Sequence, residues 1–311
     1  MATVFNLETR NSGLLLGTGG DDLVQGSAST PELVNGRNGV IRLQKGSDTI
    51  RFGSFRNPGV VQLGRGQDLI TGLDTLRSGR VSREGDGQGG IWMGQGADLL
   101  GSASERLNID SVGLLDLGAG NDQVYATDLT MGWAPIVMGA GDDLLDVAGE
   151  IVIRFASGIL GDAGDDRIIA GSGLVLDPDA GINLGAGNDL IDASAGFQGL
   201  WGSGNVRLGP GDDVFRGFLA PRSDFPDSVV SPWGTLQGGK GKDVHVLPPG
   251  TYEVVKEKSD FYPSLFSLRD VQSELEMGVS GINALAGLNG GRAAIAEGLF
   301  EVSADGIGAF A

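Results

Sequence analysis

The sequence predicts an all-β fold, a parallel β-roll or β-solenoid of about ten coils with a C-terminal capping region. Three observations predict it. Glycine accounts for 56 of 311 residues, well above the usual share of about 7%. One short glycine-aspartate pattern recurs through most of the chain. Around each copy, apolar residues alternate with a period of two, as on one face of a strand.

The copies read LLLGTGGDDL, VQLGRGQDLI, IWMGQGADLL, LDLGAGNDQV, IVMGAGDDLL, INLGAGNDLI, VRLGPGDDVF and LQGGKGKDVH. Two more are imperfect: IRLQKGSDTI has Gln44 in place of the first glycine, and ILGDAGDDRI carries one extra residue. The aligned aspartates are Asp21, Asp48, Asp68, Asp98, Asp122, Asp143, Asp166, Asp189, Asp213 and Asp243. Nine intervals span 222 residues, a mean period of about 25, within the range that marks stacked-repeat architectures.

Apolar pairs precede the first glycine, among them Leu14/Leu16, Val61/Leu63, Ile91/Met93 and Val206/Leu208. Another apolar residue follows two places after the aspartate, such as Leu23, Ile50, Val124 or Phe215. Each copy therefore reads as strand, tight turn, strand and a variable return of about a dozen residues. One coil cannot bury its own apolar row, but stacked coils can, at about 4.8 Å per rung. Length variation falls in the returns, for example Leu73–Gln88 and Ala220–Pro232, because loop closure entropy rises slowly with length. Residues 1–247 form the repeat region. Residues 248–311, with a strand at TYEVV but no GxGxD, read as a cap over the last coil's open edge.

Composition narrows the function. The formal charge is −18, which disfavours a nucleic-acid partner. The absence of cysteine removes disulfides and thiol chemistry. The single histidine, His245, speaks against a His-rich metal site or a Ser-His-Asp triad, and a packed role is expected for it. No apolar run is long enough to span a bilayer, and the N-terminus lacks signal-peptide character. Trp92, Trp133, Trp201 and Trp233 are expected to pack or anchor loops, with sugar stacking as the sharper alternative.

A glycine-aspartate turn directs backbone carbonyls to one side and adds a charged oxygen. Two stacked turns form a cage of hard oxygen donors, which suits calcium better than magnesium or the softer metals. These residues resemble the RTX (hemolysin-type) repeat, over roughly Leu14–Val246. The resemblance implies a calcium-binding β-roll, secretion by a type I machinery, and an extracellular or cell-surface location. It also implies a ligand set: the ten aspartates plus carbonyls of turn residues such as Gly118, Gly139, Gly185 and Gly209. The chain departs from that family in having one motif per roughly 25 residues, so calcium is expected along one edge only. The resulting expectation is a non-enzymatic protein with a structural, adhesive or matrix role, with cell-surface polysaccharide as a partner. The alternatives are an ice-binding solenoid and a polysaccharide lyase or epimerase on a parallel β-helix. Residues between the paired glycines, such as Thr18, Arg65, Ala119 and Lys240, form no regular threonine row, and no recurrent catalytic set is visible.

Overall fold

The computed structural model describes residues 3–7, 10–26, 32–79, 89–111, 113–155, 157–177, 179–198, 205–218, 235–258, 265–303 and 306–310. Among them no helix is long and apolar enough to cross a membrane. The chain is an all-β parallel solenoid. It divides into two compact units, one of residues 1–149 and 157–162, the other of 150–156 and 163–311.

In the first unit each coil contributes an incoming strand, the glycine-aspartate turn, an outgoing strand and, after a bend, a return strand. Incoming strands Leu14–Leu16, Val40–Lys45, Val60–Arg65, Gly90–Gln95, Leu114–Ala119 and Ile136–Ala140 stack in parallel. The outgoing ladder runs from Leu23–Gly26 to Leu144–Val147, and Val4–Leu7 covers its N-terminal edge. Return strands Glu32–Val34, Ser54–Asn57, Thr75–Ser78 and Leu107–Ser111 form a third ladder. Thr75–Ser78 thus gives strand structure to part of the expected Leu73–Gln88 loop. Residues 80–88 of that loop, all of Ala220–Pro232, Trp201 and Trp233 lie outside the described residues.

The core is the predicted apolar row. Ile41, Val61, Ile91, Leu115 and Ile136 face inward from the incoming strands, and Val24, Ile50, Ile70, Leu100, Val124 and Leu145 from the outgoing ones, all at most 1% exposed. Phe55 and Leu76 fill the return side. A one-residue shift would turn every such side chain to solvent, so the apolar row sets the register.

The first coil shows that rule correcting the sequence reading. Leu14 and Leu16 are exposed, at 62% and 52%. Leu15 pairs with Ile41, and Val24 rather than Leu23 pairs with Ile50. Gly17 lies at the inward position, where a Cβ would come within 2.8 Å of the Leu43 backbone. The literal GxGxD of this copy is therefore out of register by one residue. In ILGDAGDDRI no residue is extra: Asp162 holds the first-glycine position at φ 75°. Leu160, which precedes Gly161, is exposed.

In the second unit the parallel pattern continues through Arg167–Ala170, Leu190–Asp192, Val214–Arg216 and Val244–Leu247. Its incoming strands include Gly181–Asn183, Asn205–Pro210 and Thr235–Lys240. TYEVV does form a strand, Gly250–Lys256, antiparallel to Leu265–Asp270 and to Gly298–Ser303. After that hairpin the chain lays down one more parallel coil. Glu276–Ser280 stacks on Thr235–Lys240, and Ala284–Gly287 on Val244–Leu247.

Candidate metal-binding row

The turn is built around its second glycine. At Gly66, Gly96, Gly120 and Gly141 in the first unit, and at Gly187, Gly211 and Gly241 in the second, φ is positive. At each of them a Cβ would sit 1.5–2.0 Å from the carbonyl oxygen of the preceding coil's second glycine. No side chain fits there, whatever its rotamer. The first-glycine position is less strict, since Gln44 takes it at φ 82° and reaches the Gly17 carbonyl with Nε2 at 2.5 Å.

This stacking brings the aspartates into rows. In the first unit the backbone amide of each donates to Oδ1 of the next: Asp22 to Asp48, Asp48 to Asp68, Asp68 to Asp98, Asp98 to Asp122 and Asp122 to Asp143, all at 2.7–2.8 Å. In the second unit Asp166 donates to Asp189, Asp189 to Asp213, and Asp213 to Asp243, at 2.8–3.1 Å. Nine of the ten predicted aspartates occupy these rows. The tenth does not: Asp21 is exposed and caps the Ser47 amide at 2.8 Å, while Asp22 takes the buried place. The physical reason is again register, because only Asp22 lets Leu15 and Val24 face inward.

Asp22 is also satisfied differently from the others. Its Oδ1 accepts the Thr3 amide at 3.0 Å, and its Oδ2 accepts the Thr18 amide at 2.5 Å. For Asp48, Asp68, Asp98, Asp122, Asp143, Asp166, Asp189, Asp213 and Asp243, the Oδ2 atom is buried and has no hydrogen-bond donor among the described residues. Burial raises the pKa values of eight of them, opposed by the amide each accepts and, in all but Asp98, reinforced by neighbouring aspartates. Asp48, Asp98 and Asp189 reach about 6, and Asp68, Asp122, Asp143 and Asp213 about 7. Asp243 is also raised by burial.

Buried carboxylate oxygens without donors are costly unless a proton or a cation accompanies them. The donor set fits a hard cation, being carboxylate oxygen together with the carbonyls of stacked glycine turns. Among the described residues no three acidic or histidine side chains converge on a metal-sized site, so carbonyl oxygens would have to complete any coordination shell. The predicted carbonyl donors occupy the first-glycine row. The Gly118 oxygen lies 1.8 Å from where a Cβ on Gly139 would be, and the Gly185 oxygen 1.7 Å from one on Gly209. These carbonyls therefore run along the stack.

Sequence reasoning missed Asn283, whose Oδ1 accepts the Asp243 amide at 2.7 Å. Its SGINAL context carries a glycine two residues before the asparagine, the remaining trace of the turn pattern. His245 is packed, as expected. It is fully buried, edge-on to Phe215 at 5.3 Å, with Nε2 2.7 Å from the Gly217 carbonyl. Burial lowers its pKa to about 4, so the ring is neutral. Trp92 is half-buried on the outer face of its strand, and Trp133 is 54% exposed.

No family model and no curated protein matches the chain. Among solved structures it is similar to a hyperactive, Ca2+-dependent, β-helical antifreeze protein from an Antarctic bacterium, with a TM-score of 0.53 and 15% identity over 95% of each chain. The extracellular lipase LipA from Serratia marcescens matches at a TM-score of only 0.17 and 15% identity, over 88% of this chain and 38% of the lipase. The first likeness is one of fold and agrees with the parallel solenoid described above.

Proposed function

We propose that this is a non-enzymatic calcium-binding β-solenoid of the RTX type, exported to the cell exterior, where it serves a structural, adhesive or matrix role. One observation carries the reading: nine aspartates on stacked glycine turns bury an Oδ2 atom that has no hydrogen-bond donor among the described residues. Bound calcium would neutralise them and supply the missing electrostatic partner, while the amide ladder to Oδ1 holds each carboxylate in place. The fold shared with a Ca2+-dependent β-helical protein supports the same choice of ion.

The test is a calcium titration followed by circular dichroism and calorimetry. Folding that rises with calcium near millimolar concentrations, with several ions bound per chain, supports the reading. Unchanged β content in EDTA together with no heat on adding calcium would sink it.

A second reading, ice binding, is favoured by the antifreeze protein among the similar folds. Against it, the outward row of the first unit's incoming strands reads Arg42, Gln62, Trp92, Asp116 and Val137, which offers no repeated hydroxyl array. An ice-recrystallisation assay separates the two readings.

A further inference from the structure

We propose that the return side of the first unit binds an acidic polysaccharide through a row of arginines. The proposal gives the adhesive role suggested above a site and a ligand class. It rests on that reading only in requiring the solenoid to be folded.

In a chain of net charge −18, a groove of about 990 Å³ is lined by Arg10, Arg37, Arg56 and Arg77. Arg56 and Arg77 are register partners on adjacent return strands, so two like charges stand opposite one another, which is unfavourable without an anion between them. Among the described residues Arg77 has one side-chain partner, Asp110 at 3.1 Å, in an exposed pair of little energetic weight. Among the described residues the side chains of Arg10, Arg37 and Arg56 have no hydrogen-bond or ion-pair partner. Three guanidiniums without a partner among the described residues share one concavity and offer a site for carboxylate groups, which arginine binds in a planar, two-pronged fashion.

The backbone beneath is rigid. Next to Arg10, Arg56 and Arg77 in sequence lie Asn11, Asn57 and Ser78. Asn11 Nδ2 donates to Asn35 Oδ1 at 2.8 Å, Asn35 Nδ2 to Asn57 Oδ1 at 2.8 Å, and Asn57 Nδ2 to Ser78 Oγ at 3.4 Å. Asn35 and Asn57 are fully buried. This amide ladder fixes the return corners one rung apart, about 4.8 Å, close to the length of a sugar residue in an extended chain. Little ordering is then left for binding to accomplish.

The remaining lining selects among polyanions. Glu32, Asp74 and Asp110 share the groove, and with the overall negative charge they oppose a phosphate-dense polymer. Asp74 already accepts hydroxyl protons, from Ser54 Oγ at 2.9 Å and Thr75 Oγ1 at 3.1 Å. Sugar hydroxyls need acceptors of that kind. Among the described lining residues the one aromatic, Phe55, is buried in the core, so they offer no stacking platform for bases. A uronate-bearing chain, with carboxylates separated by hydroxyls, matches this mixture.

The experiment titrates the full chain in calcium with a labelled oligogalacturonate, a neutral cello-oligosaccharide and an oligothymidylate. The double variant Arg56→Gln, Arg77→Gln is run alongside at the same calcium concentration, and circular dichroism is recorded on every sample. The expected result is binding of the oligogalacturonate alone, weakened about tenfold or more in the variant, as loss of charge-assisted hydrogen bonds requires. Equal binding by the two proteins, no binding by the natural chain, or preference for the oligothymidylate would overturn the proposal. If the spectra show the chain folded without calcium, the calcium reading fails and the groove titration is read unchanged.

Discussion

The Asp243 amide donates to Asn283 Oδ1 at 2.7 Å, just as the Asp213 amide donates to Asp243 Oδ1 at 3.1 Å. A neutral asparagine therefore serves as acceptor for this ladder. The second oxygen of the aspartates is not needed to hold this ladder together, which is what the proposed cation-binding role expects.

Asp122→Asn separates the two roles. Its amide oxygen still accepts the Asp98 amide, but a buried negative charge is gone. In EDTA the variant should be more stable than the natural chain. With calcium at ten times its dissociation constant it should lose about 1.4 kcal/mol, the linkage contribution of one site. Urea unfolding in both buffers reads this directly, and a change of the same sign in both would refute it.

Acid should stabilise the metal-free chain. Asp68, Asp122, Asp143 and Asp213 are raised by burial from 3.8 to about 7, so the folded state holds protons that the unfolded chain releases. Stability is then fully present below about pH 4 and falls as pH rises through 6 to 7. Melting temperatures in EDTA should decrease from pH 5 to pH 8. Adding calcium should flatten that slope and release protons, which weakly buffered calorimetry detects.

Gly120→Ala should be severe and Gly19→Ala mild. A Cβ on Gly120 would lie 1.8 Å from the Gly96 oxygen, at φ 135°, whereas one on Gly19 meets nothing within 4 Å. Overpacking and strain together predict a loss of about 3 kcal/mol or more for the first, against about 0.5 kcal/mol or less for the second. Thermal melts in calcium distinguish them.

Arg106 ties separate coils of the first unit together. Its guanidinium grips Asp146 with contacts of 3.1 and 3.0 Å, donates to the Ala126 and Asp146 carbonyls, and lies 5.5 Å from the Tyr125 ring centre. Arg106→Ala should cost about 2 kcal/mol, and Arg106→Lys should recover little of it, because an ammonium cannot reproduce the fork. Denaturant midpoints check both.

Much of this was legible in the sequence because turn and strand chemistry repeat. The apolar alternation beside Asp48, Asp68 and their successors identifies both the inward face and the buried acid. The same rule fails at Asp21, where two adjacent aspartates and three glycines permit two registers. Only stacking against Ile41 and Ile50 decides between them. The return strands were read as loops because ELV, SFRN and TLRS share no motif; their common feature is an inward Leu33, Phe55 or Leu76 whose spacing varies with coil length. Asn283 was hidden by loss of the acid and by the intervening hairpin. The arginine row was invisible for a related reason: Arg56 and Arg77 become neighbours only once two coils of the right length are stacked.

The aspartate ladder has a direction. Each buried aspartate's amide is satisfied by a side chain from the coil that follows it, whereas the exposed neighbouring amides of Ser47, Asp142 and Asn188 turn to the coil before. A chain emerging N-terminus first thus leaves its newest turn unfinished until another coil arrives. Truncation from the C-terminus strands a buried aspartate amide at the new end, whereas removal of N-terminal coils strands no amide of this row, so shortening should cost more from the C-terminal end.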